Sequence, residues 1–235
     1  MKKTVLILGM HRSGTSWLTG SLQQAGLYLG KHHSWNPHNR KGNRENPDVM
    51  ALHESILAEN HGAWDVPPEF IVWSAQQKEA ARQLVEVNTE AQQQWGFKDP
   101  RTLLMLEGWK LLLDDIAYIG IFRHPLAVAR SLHNRGGMPR QQALQLWEYY
   151  NTILLNQYQL CAFPLLCFDW SEHKLNKAVS VACRHLQLET ADEDDDSSFF
   201  DADLRHNQAE SDIELPESIT HLYERLSKCS QQWAI

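Results

Sequence analysis

The sequence of 235 residues has few of the features that mark membrane, secreted or disordered proteins. Its apolar runs are short, such as the four residues Val5–Leu8, whereas a membrane-spanning helix needs about 20. The four cysteines are scattered, without the spacing of metal ligands or the density of a disulfide framework. We therefore expect no membrane span, no signal peptide, buried free thiols and a reducing compartment, the cytoplasm.

Positive charge is also in the minority, with 22 Lys and Arg against 29 Asp and Glu. The resulting net charge of −7 disfavours a general nucleic-acid binder. The basic residues are segregated, however. Residues 1–44 contain seven of them and no acid, and residues 98–140 contain seven with four acids. We expect these two segments to meet around an anion, and chance clustering on a solvated surface is the alternative.

Strand-like apolar runs alternate with helical patterns along the chain. The predicted strands are 4–8, 95–98, 118–122 and 165–168. The predicted helices are 15–25, a helix capped at Asn46, 75–94, 125–134, 139–158, 171–186 and 216–230. This alternation predicts an α/β fold in a single domain, 1–235, with a parallel sheet between helices and ligands at the carboxyl ends of its strands. Residues 189–203 contain eight acids and are predicted to form a solvated loop.

The first candidate site follows the first strand and reads GMHRSGTSW from Gly9 to Trp17. Glycines at 9 and 14 let successive N–H groups point inward, and the helix that starts near Thr15 adds its positive end, which together make an anion nest. The spacing matches a Walker A loop, but Thr15 stands at the lysine position and the cation is moved back to Arg12. The loop therefore suits the 5′-phosphate of a nucleotide other than Mg·ATP. A tight strand–helix turn with an exposed arginine is the alternative.

A second cation follows another strand, at Arg123, and Ser131 lies eight residues later on the next helix. The guanidinium can give a bidentate pair of hydrogen bonds to a phosphate, and the serine can add a hydroxyl. A helix N-terminus with a surface arginine is the alternative.

Together, GMHRSGTSWL (9–18) and FRHPLAVARSL (122–132) resemble the sulfotransferases that use 3′-phosphoadenosine-5′-phosphosulfate (PAPS). The segments 36–57, WGFKDPRT, LWEYYN and 204–206 are similar to those of the bacterial branch related to carbohydrate sulfotransferases. The basic stretch 38–41 departs from that pattern. The resemblance implies a P-loop-type three-layer α/β sandwich, PAPS as co-substrate without a metal, and a carbohydrate or glycoconjugate acceptor with a hydroxyl or amine.

The resemblance also implies which residues hold the donor. The 5′-phosphosulfate would lie in the first motif, whose residues are His11, Arg12, Ser13, Gly14, Thr15 and Ser16. The 3′-phosphate would bind Arg123 and Ser131, with Arg205 returning over it. Trp17 is similar to a position that stacks on adenine in some members, and helix packing is the alternative.

Sulfuryl transfer depends on in-line positioning and on neutralising the charge of the leaving group, by analogy with phosphoryl transfer. Arg12 and Lys98 are the candidates for stabilising charge on the bridging oxygen. No carboxylate pair suggests a metal site, and the histidines at 32, 33 and 38 lack further ligands, so we expect no metal.

An acceptor hydroxyl needs a general base. Glu45 is the first candidate, because it lies among basic residues just before a helix and because the resemblance puts a catalytic glutamate in this segment. Asp99 is the second candidate, with a salt bridge to Arg101 as its alternative role. His11 is the third. Trp35, Trp64 and Trp73 are candidates to stack on a sugar, although core packing is expected for at least two of these tryptophans.

Two other functions compete with sulfotransfer. A P-loop nucleotide kinase or NTPase is disfavoured by the missing lysine, and by strand 165–168, which leads into Asp169 without the rest of a Walker B pattern. A non-catalytic module for a nucleotide or anionic glycan would bind PAPS without transferring sulfate.

Overall fold

The computed structural model describes residues 3–33, 43–90, 94–188 and 214–234 of the chain. These residues form four strands, which are β1 (Lys3–Leu8), β2 (Gln94–Lys98), β3 (Ile116–Phe122) and β4 (Leu165–Cys167). They also form eight α-helices, which are α1 (Thr15–Gln24), α2 (Pro47–Glu59), α3 (Ala75–Glu90), α4 (Thr102–Lys110), α5 (Pro125–Gly136), α6 (Arg140–Leu160), α7 (Glu172–Leu186) and α8 (Glu217–Ser230).

The four strands make one parallel sheet in the order β2-β1-β3-β4. Ile7 of β1 pairs with Lys98 at the end of β2, and Leu8 pairs with Gly120 of β3. All four carboxyl ends therefore lie at one edge of the sheet. The loops that follow β1, β2, β3 and β4 share that edge, as the alternation of strands and helices predicted.

Helices cover both faces of the sheet, because the side chains of each strand point alternately to opposite sides. Val5 and Ile7 pack into one core with α1 and α7, and Leu6 and Leu8 pack into a larger core with the other helices. Both cores exclude water, so the sheet is the middle layer of three. The predicted α/β sandwich is confirmed.

The start of α2 is set by its sequence. The Asn46 side chain accepts hydrogen bonds from the N–H groups of Asp48 (2.9 Å) and Val49 (3.3 Å), and Pro47 occupies the first turn. This predicted cap fixes the direction in which the chain enters α2. It thereby places Glu45, the residue before the cap, at the sheet edge.

One predicted helix boundary was wrong, and one helix was not predicted. The helix predicted over 75–94 ends as α3 at Glu90, and Gln94 already belongs to β2. Helix α4 was not predicted, although its buried residues Leu103, Leu106 and Trp109 have helical spacing. Gly108 weakened that helical signal. It is nevertheless required, since a Cβ there would lie 2.1 Å from the ring of Trp73.

All four cysteines are free, as expected, but they are not all buried. Cys167 and Cys183 are buried, Cys229 is half-buried and Cys161 is exposed.

No helix among the described residues has the length and apolar character required to cross a bilayer. The predicted acidic loop 189–203 lies outside the described residues.

Candidate active site

The loop after β1 has the shape expected of an anion nest. Arg12 and Gly14 both have left-handed backbones, with φ of 68° and 90°. A Cβ on Gly9 would lie 2.5 Å from the carbonyl oxygen of Ile121, and a Cβ on Gly14 would lie 2.3 Å from the ring of Phe168. Both glycines are therefore required by close packing, and at Gly14 also by the backbone angle.

This loop leaves polar groups without protein partners. Gly14 caps α1 without a side chain, and the first turn of α1 contains no acid. Among the described residues, the buried Ser13 Oγ and His11 Nε2 have no hydrogen-bond partner. Buried polar atoms are normally paired, so unpaired ones at a positive helix end are typical of a polar or anionic ligand site.

Arg12 connects the two sequence motifs. Its Nε donates a hydrogen bond of 2.7 Å to Oγ of Ser131, on α5. Burial lowers the pKa of Arg12, and the nearby positive charges of Arg135 and Arg123 lower it further. The basic segments that are separated in sequence therefore meet here, and an anion bound between them would relieve their repulsion.

Arg123 follows β3 and is held from several sides. It is 6% exposed, its Nε lies 3.6 Å from Oδ1 of Asp169, and its guanidinium carbon lies 5.2 Å from the ring centre of Phe168. The indole N–H of Trp147 donates to the Arg123 carbonyl at 2.9 Å. Asp169 also accepts a 2.6 Å hydrogen bond from the N–H of His124. Sequence reasoning gave Asp169 no role here, although it follows β4 as Arg123 follows β3.

Lys98 and Glu45 form a buried ion pair of 2.8 Å at the same sheet edge. Lys98 is 1% exposed, and its Nζ also lies 3.4 Å from Oγ of Ser16, in the first turn of α1. Burial lowers the pKa of Lys98, and the carboxylate of Glu45 offsets part of that effect. One ammonium thus contacts both the candidate donor loop and the candidate general base.

Asp99 is fully buried and engaged by its neighbours. It accepts hydrogen bonds from Nε of Arg101 at 2.8 and 3.1 Å, and His53 Nδ1 lies 3.3 Å away. Burial by itself raises the pKa of Asp99, but His53 and Arg101 outweigh it and hold that pKa well below its usual range. These contacts include the salt bridge to Arg101 that was the alternative role of Asp99.

The partners of Asp99 extend the network. Trp109 donates an indole hydrogen bond of 2.9 Å to His53 Nε2, so the other ring nitrogen, Nδ1, carries the proton that faces Asp99. Arg101 also reaches Glu54, at 2.6 Å. His53 and Glu54 were missed by sequence reasoning. Both lie about two turns after Asn46 on α2, and no motif marks either position.

His11 faces an aromatic pair. Its ring centre lies 4.4 Å from Trp64 and 6.4 Å from Tyr150, and the Tyr150 hydroxyl donates a 2.8 Å hydrogen bond to the Trp64 carbonyl. Burial lowers the pKa of His11 to about 3, so the ring is neutral near pH 7 and is a weak base.

Of the other tryptophans considered for stacking on a sugar, Trp73 is 5% exposed and belongs to the core. Trp35 lies outside the described residues.

Comparison with known proteins decides the family. The sequence model of the sulfotransferase family matches residues 4–160, which include both motifs, Glu45 and Lys98. The chain belongs to the sulfotransferase family. No curated protein matches its sequence.

Solved structures share the fold of this sulfotransferase. The sulfotransferase domain from the Synechococcus PCC 7002 olefin synthase superposes with a TM-score of 0.53 at 17% identity, covering 99% of this chain and 94% of that chain. The sulfotransferase domain from the curacin biosynthetic pathway superposes with a TM-score of 0.55 at 15% identity, covering 97% and 98%. At these identities the likeness concerns the fold alone.

Two predicted site residues of this sulfotransferase remain, Trp17 and Arg205. Trp17 is 2% exposed, and its ring centre lies 6.0 Å from that of Phe168, as the helix-packing alternative expects. Arg205 lies outside the described residues. Within the described part of the chain, no three His, Cys, Asp or Glu side chains form a metal-ligand group.

Proposed function

We propose that this sulfotransferase moves a sulfuryl group from PAPS to an acceptor hydroxyl or amine without a metal ion. The observation that carries the proposal is the 2.7 Å hydrogen bond from Arg12 to Ser131. It joins the candidate 5′-phosphosulfate loop to the candidate 3′-phosphate motif, and PAPS carries both anionic groups on one ribose. The Lys98–Glu45 pair lies at the same edge.

On this proposal, the first motif holds the 5′-phosphosulfate. Its inward N–H groups and the hydroxyls of Ser13, Thr15 and Ser16 are the donors, and the buried Ser13 Oγ gains the partner that it lacks among the described residues. Arg123 and Ser131 hold the 3′-phosphate. Asp169, which now lies 3.6 Å from Arg123, gives up part of that contact when the phosphate binds.

Transfer then needs a base at the acceptor oxygen and a cation at the bridging oxygen. The acceptor oxygen attacks sulfur while its proton passes to the carboxylate of Glu45, and the bond from sulfur to the bridging oxygen breaks. The negative charge that develops on the phosphate is stabilised by Lys98 and Arg12. Lys98 is suited to this role because it already contacts Ser16 of the donor loop at 3.4 Å.

The carbohydrate acceptor implied by the resemblance remains a prediction, as does the cytoplasmic location. The family match disfavours the competing P-loop kinase, which would also differ in its ligand. PAPS should bind in the presence of EDTA, whereas a kinase would require Mg²⁺ with ATP.

The test is a calorimetric titration of the Arg123→Ala variant in EDTA. We expect the Kd for PAPS to rise about 10- to 150-fold, since one charge-assisted hydrogen bond contributes about 1.5–3 kcal/mol. The Kd for adenosine 5′-phosphosulfate, which lacks the 3′-phosphate, should change less than about threefold on the same reasoning. Arg140→Ala, an exposed cation at the start of α6, is the matched control. Equal losses for both ligands would contradict the 3′-phosphate assignment.

A further inference from the structure

The connection between α2 and α3, residues 60–74, exposes large apolar side chains. Val66 is 62% exposed, Phe70 74% and Val72 70%. These are three of the eight large apolar side chains that are exposed in the described chain, and they fall within seven residues. A concentration of this kind in a protein surface marks a contact site.

The connection is held in shape by its own hydrogen bonds. Asn60 donates to the Val72 carbonyl and accepts from the Val72 N–H, both at 2.9 Å. Ala63 and Val66 exchange backbone hydrogen bonds of 2.9 and 3.2 Å. The exposed apolar groups are therefore presented by a closed loop whose two ends are tied together.

This loop is continuous with the candidate active site. Trp64 lies within it, and its ring packs on His11 of the phosphate loop at 4.4 Å. Tyr150 fixes the Trp64 backbone through its 2.8 Å hydrogen bond. Trp64 therefore joins this loop to the phosphate loop, beside which the acceptor would react.

The charge of the loop favours one class of occupant. Residues 60–74 contain no Lys or Arg, and their charged residues are the acids Asp65 and Glu69. An anionic glycan would be repelled by this surface, and a sugar would find apolar side chains where it needs hydrogen-bond partners. An uncharged hydrocarbon chain gains from contact with Val66, Phe70 and Val72.

We propose that the acceptor is an alcohol carried on an uncharged apolar chain, which lies along Val66, Phe70 and Val72 while its hydroxyl reaches Glu45. This inference rests on the proposed sulfotransfer and names its substrate class. It departs from the carbohydrate acceptor implied by the family resemblance. The apolar loop acts in binding, so it should affect kcat/KM through KM.

The test measures kcat/KM with radiolabelled PAPS for straight-chain primary alcohols from butanol to decanol, with glucose and chondroitin as hydrophilic acceptors. We expect kcat/KM to rise about two- to fourfold per methylene, since full burial of a methylene, about 0.8 kcal/mol, corresponds to about fourfold. The double variant F70S/V72S should flatten this dependence, and F70L should retain it. V87S, a 69% exposed valine on α3, is the control.

The outcomes separate the inference from the function on which it rests. Failure of the protein to bind PAPS in a calorimetric titration would remove the proposed function itself. PAPS binding with a flat alcohol series, with no alcohol sulfated, or with transfer to a sugar only, would overturn the acceptor class alone. The inference also fails if F70S/V72S keeps the chain-length dependence but loses sedimentation with phosphatidylcholine vesicles, since the loop would then be a membrane contact.

Discussion

Replacing Glu45 by Gln separates the roles of base and ion-pair partner. Gln is nearly the same size, and its amide oxygen can still accept the 2.8 Å hydrogen bond that Lys98 now gives to Glu45. What the variant loses is the negative charge and the ability to take a proton from the acceptor. Donor contacts through the phosphate loop are left in place.

The substitution should have two separate effects, one on turnover and one on the stability of the fold. Loss of a general base lowers kcat by about 10²- to 10⁴-fold. Removing the charge that pairs with a buried lysine costs about 3–5 kcal/mol of stability when nothing replaces it. The cost should be smaller here, because Gln keeps a hydrogen bond and Glu45 is 9% exposed rather than fully enclosed. Without the carboxylate, the pKa of Lys98 should fall further below its usual range, since Glu45 opposes the effect of burial.

The assay compares turnover with donor binding. Single-turnover transfer from labelled PAPS should fall in Glu45→Gln, while the Kd of 3′,5′-adenosine diphosphate stays within about threefold. Glu59→Gln, the same change at an exposed position at the other end of α2, should leave both unchanged. Thermal melts define a temperature at which all variants are folded. A turnover within about threefold of wild type would exclude Glu45 as the base.

Two further predictions concern the phosphate loop. Gly14→Ala should destabilise the fold by more than the roughly 1–2 kcal/mol that alanine costs in a left-handed conformation, because the added Cβ would lie 2.3 Å from Phe168. Gly137→Ala is the control, since Gly137 has a φ of 72° and nothing within 4 Å of an added Cβ. In thermal melts the control should show the backbone cost alone. His11, with its pKa lowered from 6.5 to about 3, stabilises the fold above pH 6.5 and loses that contribution as pH falls toward 3. Between pH 7 and 5.5, wild type should therefore lose about 1 kcal/mol more than His11→Gln in urea unfolding. The His11 prediction is contradicted if the unfolding free energies of wild type and His11→Gln fall equally between pH 7 and 5.5. The glycine prediction is contradicted if Gly14→Ala and Gly137→Ala cost the same stability.

The residues at the sheet edge could be predicted from sequence because the signal there is local. A buried strand followed by glycines or by an arginine fixes where Arg12 and Arg123 lie, since parallel strands end at one edge. The same argument reached Lys98 at the end of β2. Glu45 could be placed because Asn46 is an unambiguous helix cap.

The partners of those residues could not be predicted, because they depend on contacts between distant elements. The contact of Asp99 with His53 joins the end of β2 to the middle of α2, and neither position has a motif of its own. Helix α4 was hidden because tertiary packing against Trp73 requires Gly108, which opposes local helix propensity. The burial of Trp17 against Phe168 likewise depends on β4 lying beside β3.

The charges at the sheet edge follow a pattern that none of the motifs shows alone. Lys98 is paired with Glu45, and Arg123 lies 3.6 Å from Asp169, so two cations of the site have a carboxylate close by. Among the described residues, Arg12 instead donates to the neutral hydroxyl of Ser131.

The absence of a carboxylate partner among the described contacts of Arg12 determines where a bound anion gains most binding free energy. At Lys98 and Arg123, an incoming phosphate or sulfate must compete with a resident carboxylate, so the net gain is the difference between two ion pairs. At Arg12, burial and the neighbouring Arg135 and Arg123 already disfavour the charged form, as its lowered pKa records. An anion there restores the missing counter-charge without displacing one. Under the proposed function, an anion held at Arg12 therefore leaves Glu45 beside Lys98, where its carboxylate can take the proton of the acceptor.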